Sequence, residues 1–132
     1  MLIDDDRDDQ EFFLEALKTQ FPEANCTIAS DYPSALDKLS KRLIDIPKYI
    51  FLDWSLPNSD VRESVKQMKG MEDLRQSAFF ILSGSMPPLS PAVIQELGIE
   101  KVLLKQNSIP ELSQELSTAI VLRFGEISDL AV

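Results

Sequence analysis

The apolar run Tyr49–Leu52, which leads into Asp53 and is closed by Pro57, constrains the fold of this chain more than any other stretch. Four apolar or aromatic residues without polar alternation are typical of a strand that is covered on both faces, as in a parallel sheet packed between helices. Asp53 is then predicted to lie at the carboxyl end of that strand. Ligands bind at this edge of open α/β sheets, so Asp53 is a candidate functional residue, with a helix or turn cap as the alternative.

The same pattern, an apolar strand that ends in a polar residue, occurs at four places in the chain. The predicted strands are Met1–Ile3, Tyr49–Leu52, Ser77–Leu82 and Ile99–Leu104. Because the carboxyl ends of parallel strands meet at one edge of a sheet, the polar residues that follow are predicted to converge there. The convergent residues are Asp4 and Asp5, Asp53, Ser83 and Lys105. Taken alone, Ser83 would be interpreted as a turn residue and Lys105 as a surface residue.

Between these strands, apolar residues recur at helical spacing and predict five helices. Asp8 and Asp9 are placed at the cap or in the first turn of the first helix, where carboxylates are favoured. Leu43 is placed on the apolar face of the second. The predicted helices cover residues 9–20, 33–43, 61–70 and 91–98, and the last begins after Ser108. Together with a further strand at 25–29, this alternation predicts an α/β fold, a doubly wound parallel sheet of five strands with five helices.

Composition narrows the range of functions. A chain of 132 residues with 44% hydrophobic residues suits one domain, 1–132, without an attached effector domain, and residues 125–132 are expected to be a tail that frays or docks. A net charge of -9 argues against nucleic-acid binding and suits a basic protein partner or a divalent cation. No apolar run reaches the roughly 20 residues of a membrane span. The single cysteine, Cys26, is expected in the second strand and is compatible with a reducing cytoplasm.

The predicted cluster at the sheet edge indicates a cation site and phosphoryl chemistry. Three carboxylates close together repel one another, and a hard divalent cation relieves that repulsion. Carboxylate oxygens select Mg²⁺ or Mn²⁺, and the chain has no histidine for a zinc site or for donating a phosphoryl group. In this arrangement Asp53 could act as a nucleophile toward a phosphoryl group. Lys105 would balance the charge of the phosphoryl oxygens, and Ser83 would donate a hydrogen bond to one of them.

On these motifs, the chain resembles the receiver domains of response regulators in bacterial two-component signalling, and the similarity covers nearly its whole length. The motifs are Leu2–Asp6, Phe51–Pro57, Ile81–Gly84 and Val102–Lys105. The resemblance implies a flavodoxin-like sheet with strand order 2-1-3-4-5. With nothing beyond the receiver, the chain is similar to stand-alone regulators of the chemotaxis type.

The resemblance also implies a site and a role. Asp53 would be the phosphoacceptor, and Ser83 and Lys105 would bind the phosphoryl group. Mg²⁺, with Mn²⁺ as a substitute, would be held by Asp4, Asp5, Asp53 and the backbone carbonyl of Ser55. A sensor histidine kinase or phosphotransfer protein would donate the group to a cytoplasmic signalling protein that is not an enzyme. A downstream protein would bind the face formed by helix 4, strand 5 and helix 5, and a homodimer is left open.

The sequence departs from the family pattern at three positions. Asp60 is followed by Val61, where a glycine is usual, so the turn into the third helix is expected to differ. Gln106 follows Lys105, where a cis proline is usual, and a cis bond before another residue costs about 2.5 to 4 kcal/mol. Val102 stands where the family carries an aromatic residue. The short first strand also leaves open that the natural protein starts upstream.

Two other classes of protein compete with this interpretation. A pseudo-receiver, which binds a partner without being phosphorylated, would not need the acids, Ser83 and Lys105. An enzyme or electron carrier of similar fold fits poorly. A flavin phosphate would be repelled by the acids after the first strand, and a dehalogenase-type phosphatase usually has a second aspartate where Ser55 stands.

Overall fold

A computed structural model describes residues 1–57, 60–105 and 108–124, with side chains up to residue 120. The strands are β1 (Leu2–Ile3), β2 (Ile28–Ala29), β3 (Tyr49–Asp53), β4 (Ala78–Ser83) and β5 (Ile99–Leu104). The helices are α1 (Arg7–Gln20), α2 (Tyr32–Ser40), α3 (Val61–Lys69), α4 (Pro91–Leu97) and α5 (Ile109–Phe124), with a short 3-10 helix at Glu72–Leu74. None of these helices is long and apolar enough to cross a membrane.

The five strands form one parallel sheet in the order β2-β1-β3-β4-β5, which confirms the predicted fold. In the centre, Phe51 of β3 lies beside Leu2 of β1 and Phe80 of β4. From β1 the chain passes through α1 to β2 on one side of it, and then through α2, on the opposite face of the sheet, to β3 on the other side of β1. This switch point is where the ends of neighbouring strands leave a crevice for ligands.

Helices cover both faces of the sheet, as the apolar run in β3 predicts. Ile50 and Leu52 face one core, which is closed by residues of α2, α3 and α4. Phe51 faces the other core, which is closed by α1 and α5. Its ring stacks on Phe80 at 4.9 Å between centroids and meets the edge of Phe13 at 5.1 Å. These aromatic contacts fix the height of β3 in the sheet and therefore the position of the Asp53 carboxylate at its end.

The first helix begins two residues earlier than predicted. Asp6 caps it, because its carboxylate accepts a hydrogen bond from the Asp9 backbone N–H at 3.1 Å. Asp8 and Asp9 are therefore residues of the first turn. The chain passes from β1 into α1 through only a few residues, so the first turn of α1 lies beside the carboxyl edge of the sheet.

The second strand begins three residues later than predicted, and the second helix ends three residues earlier. β2 contains only Ile28–Ala29, because β1 offers two residues for pairing, and the half-buried Cys26 lies before the strand rather than in it. The second helix ends at Ser40, because Arg42 adopts a left-handed backbone with φ 54°. The Leu43 N–H then returns to the Lys38 carbonyl at 3.0 Å. The prediction for Leu43 is wrong, since this residue is 66% exposed.

The later elements agree with the predicted order. Asp60 caps α3 by accepting from the N–H groups of Arg62 and Glu63, so the helix starts directly at Val61 without the usual glycine. The prediction that β4 ends before Ser83 is wrong by one residue, since Ser83 is its last member. Gly98 ends α4 with φ 71°, a conformation that other residues rarely adopt. The Lys105–Gln106 bond and the tail at 125–132 lie outside the described residues.

Candidate functional site

Three acids meet at the carboxyl edge of the sheet, on the two sides of the crevice between β1 and β3. Asp4, Asp5 and Asp53 each offer one carboxylate oxygen, and these oxygens lie within 4.8 Å of one another. The side chains of Asp4 and Asp53 are buried, with relative exposures of 1% and 3% for the two residues, whereas Asp5 is exposed. The three acids therefore converge as predicted, with Asp4 and Asp53 buried and Asp5 facing solvent.

Backbone groups hold the two buried carboxylates in place. Asp4 Oδ1 accepts a hydrogen bond from the Asp6 N–H, and Asp53 Oδ1 accepts one from the Ser55 N–H, both at 3.0 Å. The side-chain amide of Gln10 donates to the backbone carbonyl of Asp4 at 2.6 Å. Because Asp6 and Ser55 belong to the segments that follow β1 and β3, and Gln10 to the start of α1, the carboxylates are oriented before any ligand arrives.

Lys105 joins this cluster from the end of β5. Its ammonium Nζ lies 3.3 Å from Asp4 Oδ2, 3.3 Å from Asp53 Oδ1 and 2.7 Å from Asp9 Oδ2. The Lys105 backbone N–H donates to the carbonyl of Ser83 at 2.7 Å, which ties the residue to the end of β4. The structure thus brings Lys105 to the acids, as the sequence predicts, and adds a third carboxylate from α1.

Burial and charge change the acidity of two of these groups. Loss of solvent and the nearby Asp53 carboxylate raise the pKa of Asp4 to about 6, although the Asp6 N–H and Lys105 oppose that rise. Burial would lower the pKa of Lys105, but its hydrogen bond to Asp9 and the charges of Asp4 and Asp53 outweigh burial and raise the pKa above the usual range for lysine. The Lys105 ammonium is therefore charged at neutral pH, whereas ionisation of Asp4 at this pH lowers the stability of the folded state.

Ser83 and Ser55 occupy the predicted positions but make different contacts. The buried Ser83 hydroxyl donates a short hydrogen bond to the backbone carbonyl of Ser85, in its own loop. No described contact joins it to Asp53, so a role in binding a phosphoryl group requires that this hydrogen bond be released. Ser55 is exposed in the turn after β3, and the assignment of its backbone carbonyl as a metal ligand stays a prediction.

The donor set suits a hard divalent cation. Carboxylate oxygens from Asp4, Asp5 and Asp53 are the ligands that Mg²⁺ and Mn²⁺ prefer, and the exposed side of the cluster leaves room for water or phosphoryl oxygens. Mg²⁺ usually keeps several waters and takes few protein carboxylates, so three acids are enough. Burial is the main cause of the raised pKa of Asp4, and a divalent cation at this place would relieve the smaller contribution that comes from repulsion by Asp53.

Comparisons with known proteins identify the architecture. No protein-family model and no curated protein matches the sequence. The phosphorylated cyanobacterial phytochrome response regulator RcpA aligns with TM-score 0.77 and 21% identity over 93% of this chain and 91% of its own. The bacteriophytochrome response regulator AtBRR aligns with TM-score 0.74 and 26% identity over 94% and 89%. The Mn²⁺-bound response regulator Rcp1 gives 0.74 and 24% over 91% and 89%.

The chain has the fold of a response-regulator receiver domain. The neighbours are response regulators, and they are matched over nearly their whole length. The acids, Ser83 and Lys105 stand at the strand ends where the resemblance in sequence puts them.

Two residues of the site, Asp9 and Gln10, are not indicated by the sequence patterns. The sequence predicts Asp9 only as a residue of the helix start, yet it makes the shortest contact to Lys105. No sequence pattern points to Gln10, yet its side-chain amide donates to the backbone carbonyl of Asp4. The available signal was the short distance in sequence between β1 and α1, which keeps the first turn of the helix at the edge where the acids lie. Charge alone gave no signal, because Asp4, Asp5, Asp6, Asp8 and Asp9 are all acidic.

Replacing Asp4 with asparagine should stabilise the metal-free protein at pH 7.5. The folded pKa of about 6 exceeds the ordinary value of 3.8, so the stability that protonated Asp4 contributes is complete below pH 3.8 and is lost as pH rises through 6. We expect a gain in the free energy of unfolding on the order of 2 kcal/mol at pH 7.5 that shrinks toward pH 4. Urea unfolding in a chelator measures this gain, and Asp5→Asn, a change at an exposed residue, is the control. A gain that is equal at both pH values would contradict the assignment.

Proposed function

We propose that this receiver domain accepts a phosphoryl group on Asp53 from a sensor histidine kinase or phosphotransfer protein, with Mg²⁺, and signals in the cytoplasm by phosphorylation-dependent binding to another protein. The observation that carries the proposal is the arrangement around Asp53. A buried carboxylate lies 3.3 Å from the Lys105 ammonium and within 4.8 Å of two further acids, at the ligand-binding edge of the sheet.

The residues of the chain supply positioning and charge for this transfer. A carboxylate oxygen of Asp53 forms a bond to phosphorus while the donor's P–N or P–O bond breaks, and the donor leaves with that electron pair. The product is an acyl phosphate on Asp53. The Ser55 N–H, 3.0 Å from Asp53 Oδ1, keeps the carboxylate oriented, so that its other oxygen is available to attack. The Lys105 ammonium lies where it can pair with the negative oxygens of the incoming group.

A divalent cation at Asp4, Asp5 and Asp53 would neutralise part of the negative charge that accumulates when a phosphoryl group meets these carboxylates. The carboxylates of Asp4 and Asp5 would hold it from the β1 side of the crevice. Hydrolysis of the acyl phosphate by water would return the protein to its starting state, so the chemistry is limited to the domain's own phosphorylation and dephosphorylation. This is the behaviour of a signalling protein and not of an enzyme with a separate substrate.

Incubation with a small phosphodonor tests the proposal. The protein is mixed with acetyl phosphate in Mg²⁺, in Mn²⁺ and in a chelator, and its intact mass is followed with time. We expect one added phosphoryl group in either cation and almost none in the chelator. An unchanged mass with several donors would favour the pseudo-receiver, in which the same fold binds partners without phosphorylation.

Trp54 should report cation binding. It is half-buried, follows Asp53 directly, and its backbone N–H donates to the Leu82 carbonyl at 2.8 Å. Its fluorescence should therefore change on titration with Mg²⁺ at millimolar concentrations and again on phosphorylation. Asp5→Asn removes one of few ligands and should weaken the apparent affinity by about tenfold or more. An unchanged titration in this variant would contradict the metal assignment, and Asp60→Asn, which alters a helix cap elsewhere, serves as control.

The Ser83 hydroxyl connects the phosphoryl site to the loop that precedes α4. To donate to a phosphoryl oxygen, it must release the Ser85 carbonyl, and the loop that it now restrains can then rearrange. Pro87 and Pro88 make this loop stiff, and α4 begins shortly afterwards at Pro91. In the family that the chain resembles, an aromatic residue at this position of β5 would rotate into the space that the serine hydroxyl leaves. The half-buried Val102 is too small and too stiff for that movement. The proposed output is therefore a shift of α4 that changes the face it forms with β5 and α5.

Replacing Ser83 with alanine should separate phosphorylation from this output. The variant should still gain a phosphoryl group on Asp53, but hydrogen exchange between Gly84 and Gly98 should no longer change on phosphorylation as it does in the unmodified sequence. Val102→Tyr should change phosphorylation-dependent partner binding only mildly. Exchange changes that stay confined to the loops around Asp5 and Asp53 in the unmodified sequence would show that the proposed output face is wrong.

A further inference from the structure

The ion pair between Asp9 and Lys105 is the closest contact of the lysine and has no part in the function proposed above. Lys105 Nζ lies 2.7 Å from Asp9 Oδ2, compared with 3.3 Å from Asp4 and 3.3 Å from Asp53. Asp4 and Asp53 belong to the acidic cluster that could hold a cation, and Asp9 does not. The ammonium therefore has two kinds of partner, which a bound cation would affect differently.

A divalent cation bound by Asp4 and Asp53 competes with Lys105 for the same carboxylate charge. Two positive groups so close repel each other, and the attraction that holds the ammonium over the acids is largely cancelled. A lysine side chain carries about 2 kcal/mol of rotamer entropy, so an ammonium without a partner tends to leave. Only Asp9, among the carboxylates in contact with Lys105 in the described part of the chain, would keep its full attraction.

The surroundings of Asp9 make it a fixed partner and show where the lysine could otherwise go. Asp9 lies in the first turn of α1, and its own backbone N–H is bound to the cap residue Asp6 at 3.1 Å. A cavity of about 190 Å³ opens beside the pair, and it is lined by Asp4, Asp8, Asp9, Phe12, Phe13, Leu82, Lys105 and Leu112. A lysine released from Asp9 has space to rotate into this cavity and away from Asp53.

We propose that Asp9 is a positioning residue for Lys105, which keeps the ammonium beside Asp53 when a divalent cation occupies the carboxylates. Asp9 touches neither the reacting atoms nor the cation, and it acts through the lysine. The effect on phosphoryl uptake rests on the proposed function, whereas the position of the lysine does not. The two parts therefore need separate measurements.

The position of Lys105 can be measured without any phosphoryl group. Nitrogen NMR relaxation reports the mobility of the Lys105 ammonium, whose signal is assigned by its loss in Lys105→Ala. In saturating Mg²⁺ we expect a restricted ammonium in the unmodified protein and a clear fall of its order parameter in Asp9→Asn. Glu11→Gln is the control, because it removes one charge from the same helix at an exposed residue that pairs with Arg7 and does not line this cavity. Equal mobility in the unmodified protein and in Asp9→Asn would overturn the proposal.

The consequence is measured by the initial rate of phosphoryl uptake from acetyl phosphate in saturating Mg²⁺. Asp9→Asn should lower the rate by about threefold to tenfold, as expected for a partly exposed ion pair, and Asp9→Glu should restore part of it. In a Lys105→Ala background, Asp9→Asn should have no further effect, because its partner is already gone. The same loss in both backgrounds would overturn the proposal. If the unmodified protein takes up no phosphoryl group, the proposed function fails, and the NMR result still decides the position of the lysine.

Discussion

Asp53→Asn should reduce phosphoryl uptake below detection while leaving the fold intact. Asparagine has the same shape as aspartate, but its neutral amide is a poor nucleophile toward phosphorus. The Ser55 N–H can still donate to the amide oxygen, as it does to Asp53 Oδ1 at 3.0 Å. Removal of the charge also ends the repulsion between residue 53 and Asp4, which contributes to the raised pKa of Asp4. The variant should therefore be no less stable than the unmodified protein in a chelator.

The measurement is the initial rate of mass increase with acetyl phosphate and Mg²⁺, with thermal unfolding as the check on folding. Asp8→Asn is the control, because it changes the net charge by the same amount at an exposed position and should keep the full rate. An Asp53→Asn variant that gains a phosphoryl group at a rate similar to that of Asp8→Asn would show that another residue is the acceptor.

Lys105→Ala should cause the largest loss of stability among the site variants in the absence of a metal ion. The ammonium is the cation that balances Asp4, Asp9 and Asp53, and its side chain is only 25% exposed. Removing one partner of a buried charge cluster costs about 3 to 5 kcal/mol, and partial exposure reduces this to about 2 to 3 kcal/mol in the free energy of unfolding at pH 7.5. The loss should shrink toward pH 4, where Asp4, with a pKa of about 6, is protonated.

Mg²⁺ should restore most of the stability lost in Lys105→Ala, because a divalent cation can balance the same carboxylates. Urea unfolding in a chelator and in saturating Mg²⁺ measures both effects. Lys101→Ala is the matched control in β5, the strand that Lys105 follows. Lys101 is more exposed and pairs with Glu115 at 3.7 Å, so the change should shift the free energy of unfolding by about 0.5 kcal/mol or less. A Lys105→Ala protein that is as stable as Lys101→Ala, or that does not respond to Mg²⁺, would contradict this account of the charge balance.

The parts of the fold that depend on apolar patterns can be predicted from the sequence alone. The run that ends in Asp53 becomes a strand buried on both faces, and the residues after β1, β3, β4 and β5 meet at one edge. The carboxyl ends of parallel strands lie at the same edge, so the sequence alone predicts that Asp4, Asp5, Asp53 and Lys105 lie close together.

The sequence was not sufficient where local backbone geometry or side-chain direction decides the outcome. Leu43 continues the apolar spacing of α2, but the left-handed turn at Arg42 removes it from the helix. The Ser83 hydroxyl could face the acids or its own loop, and it faces the Ser85 carbonyl. Asp9 could serve the helix dipole alone, and only the distance to Lys105 reveals its second partner. In each case the residue type is compatible with two contacts, and the packing of neighbouring elements selects one.

The most direct test of the central proposal is to locate the phosphoryl group on the chain. Protein phosphorylated with acetyl phosphate and Mg²⁺ is treated with borohydride, which reduces an acyl phosphate to an alcohol and leaves free carboxylates unchanged, and the reduced residue is found by peptide sequencing with mass spectrometry. We predict reduction at Asp53 alone, in the peptide that contains β3. Reduction at Asp4 or Asp5 instead, or a phosphoryl group that resists borohydride on Ser83, would contradict the assignment of Asp53 as the phosphoacceptor.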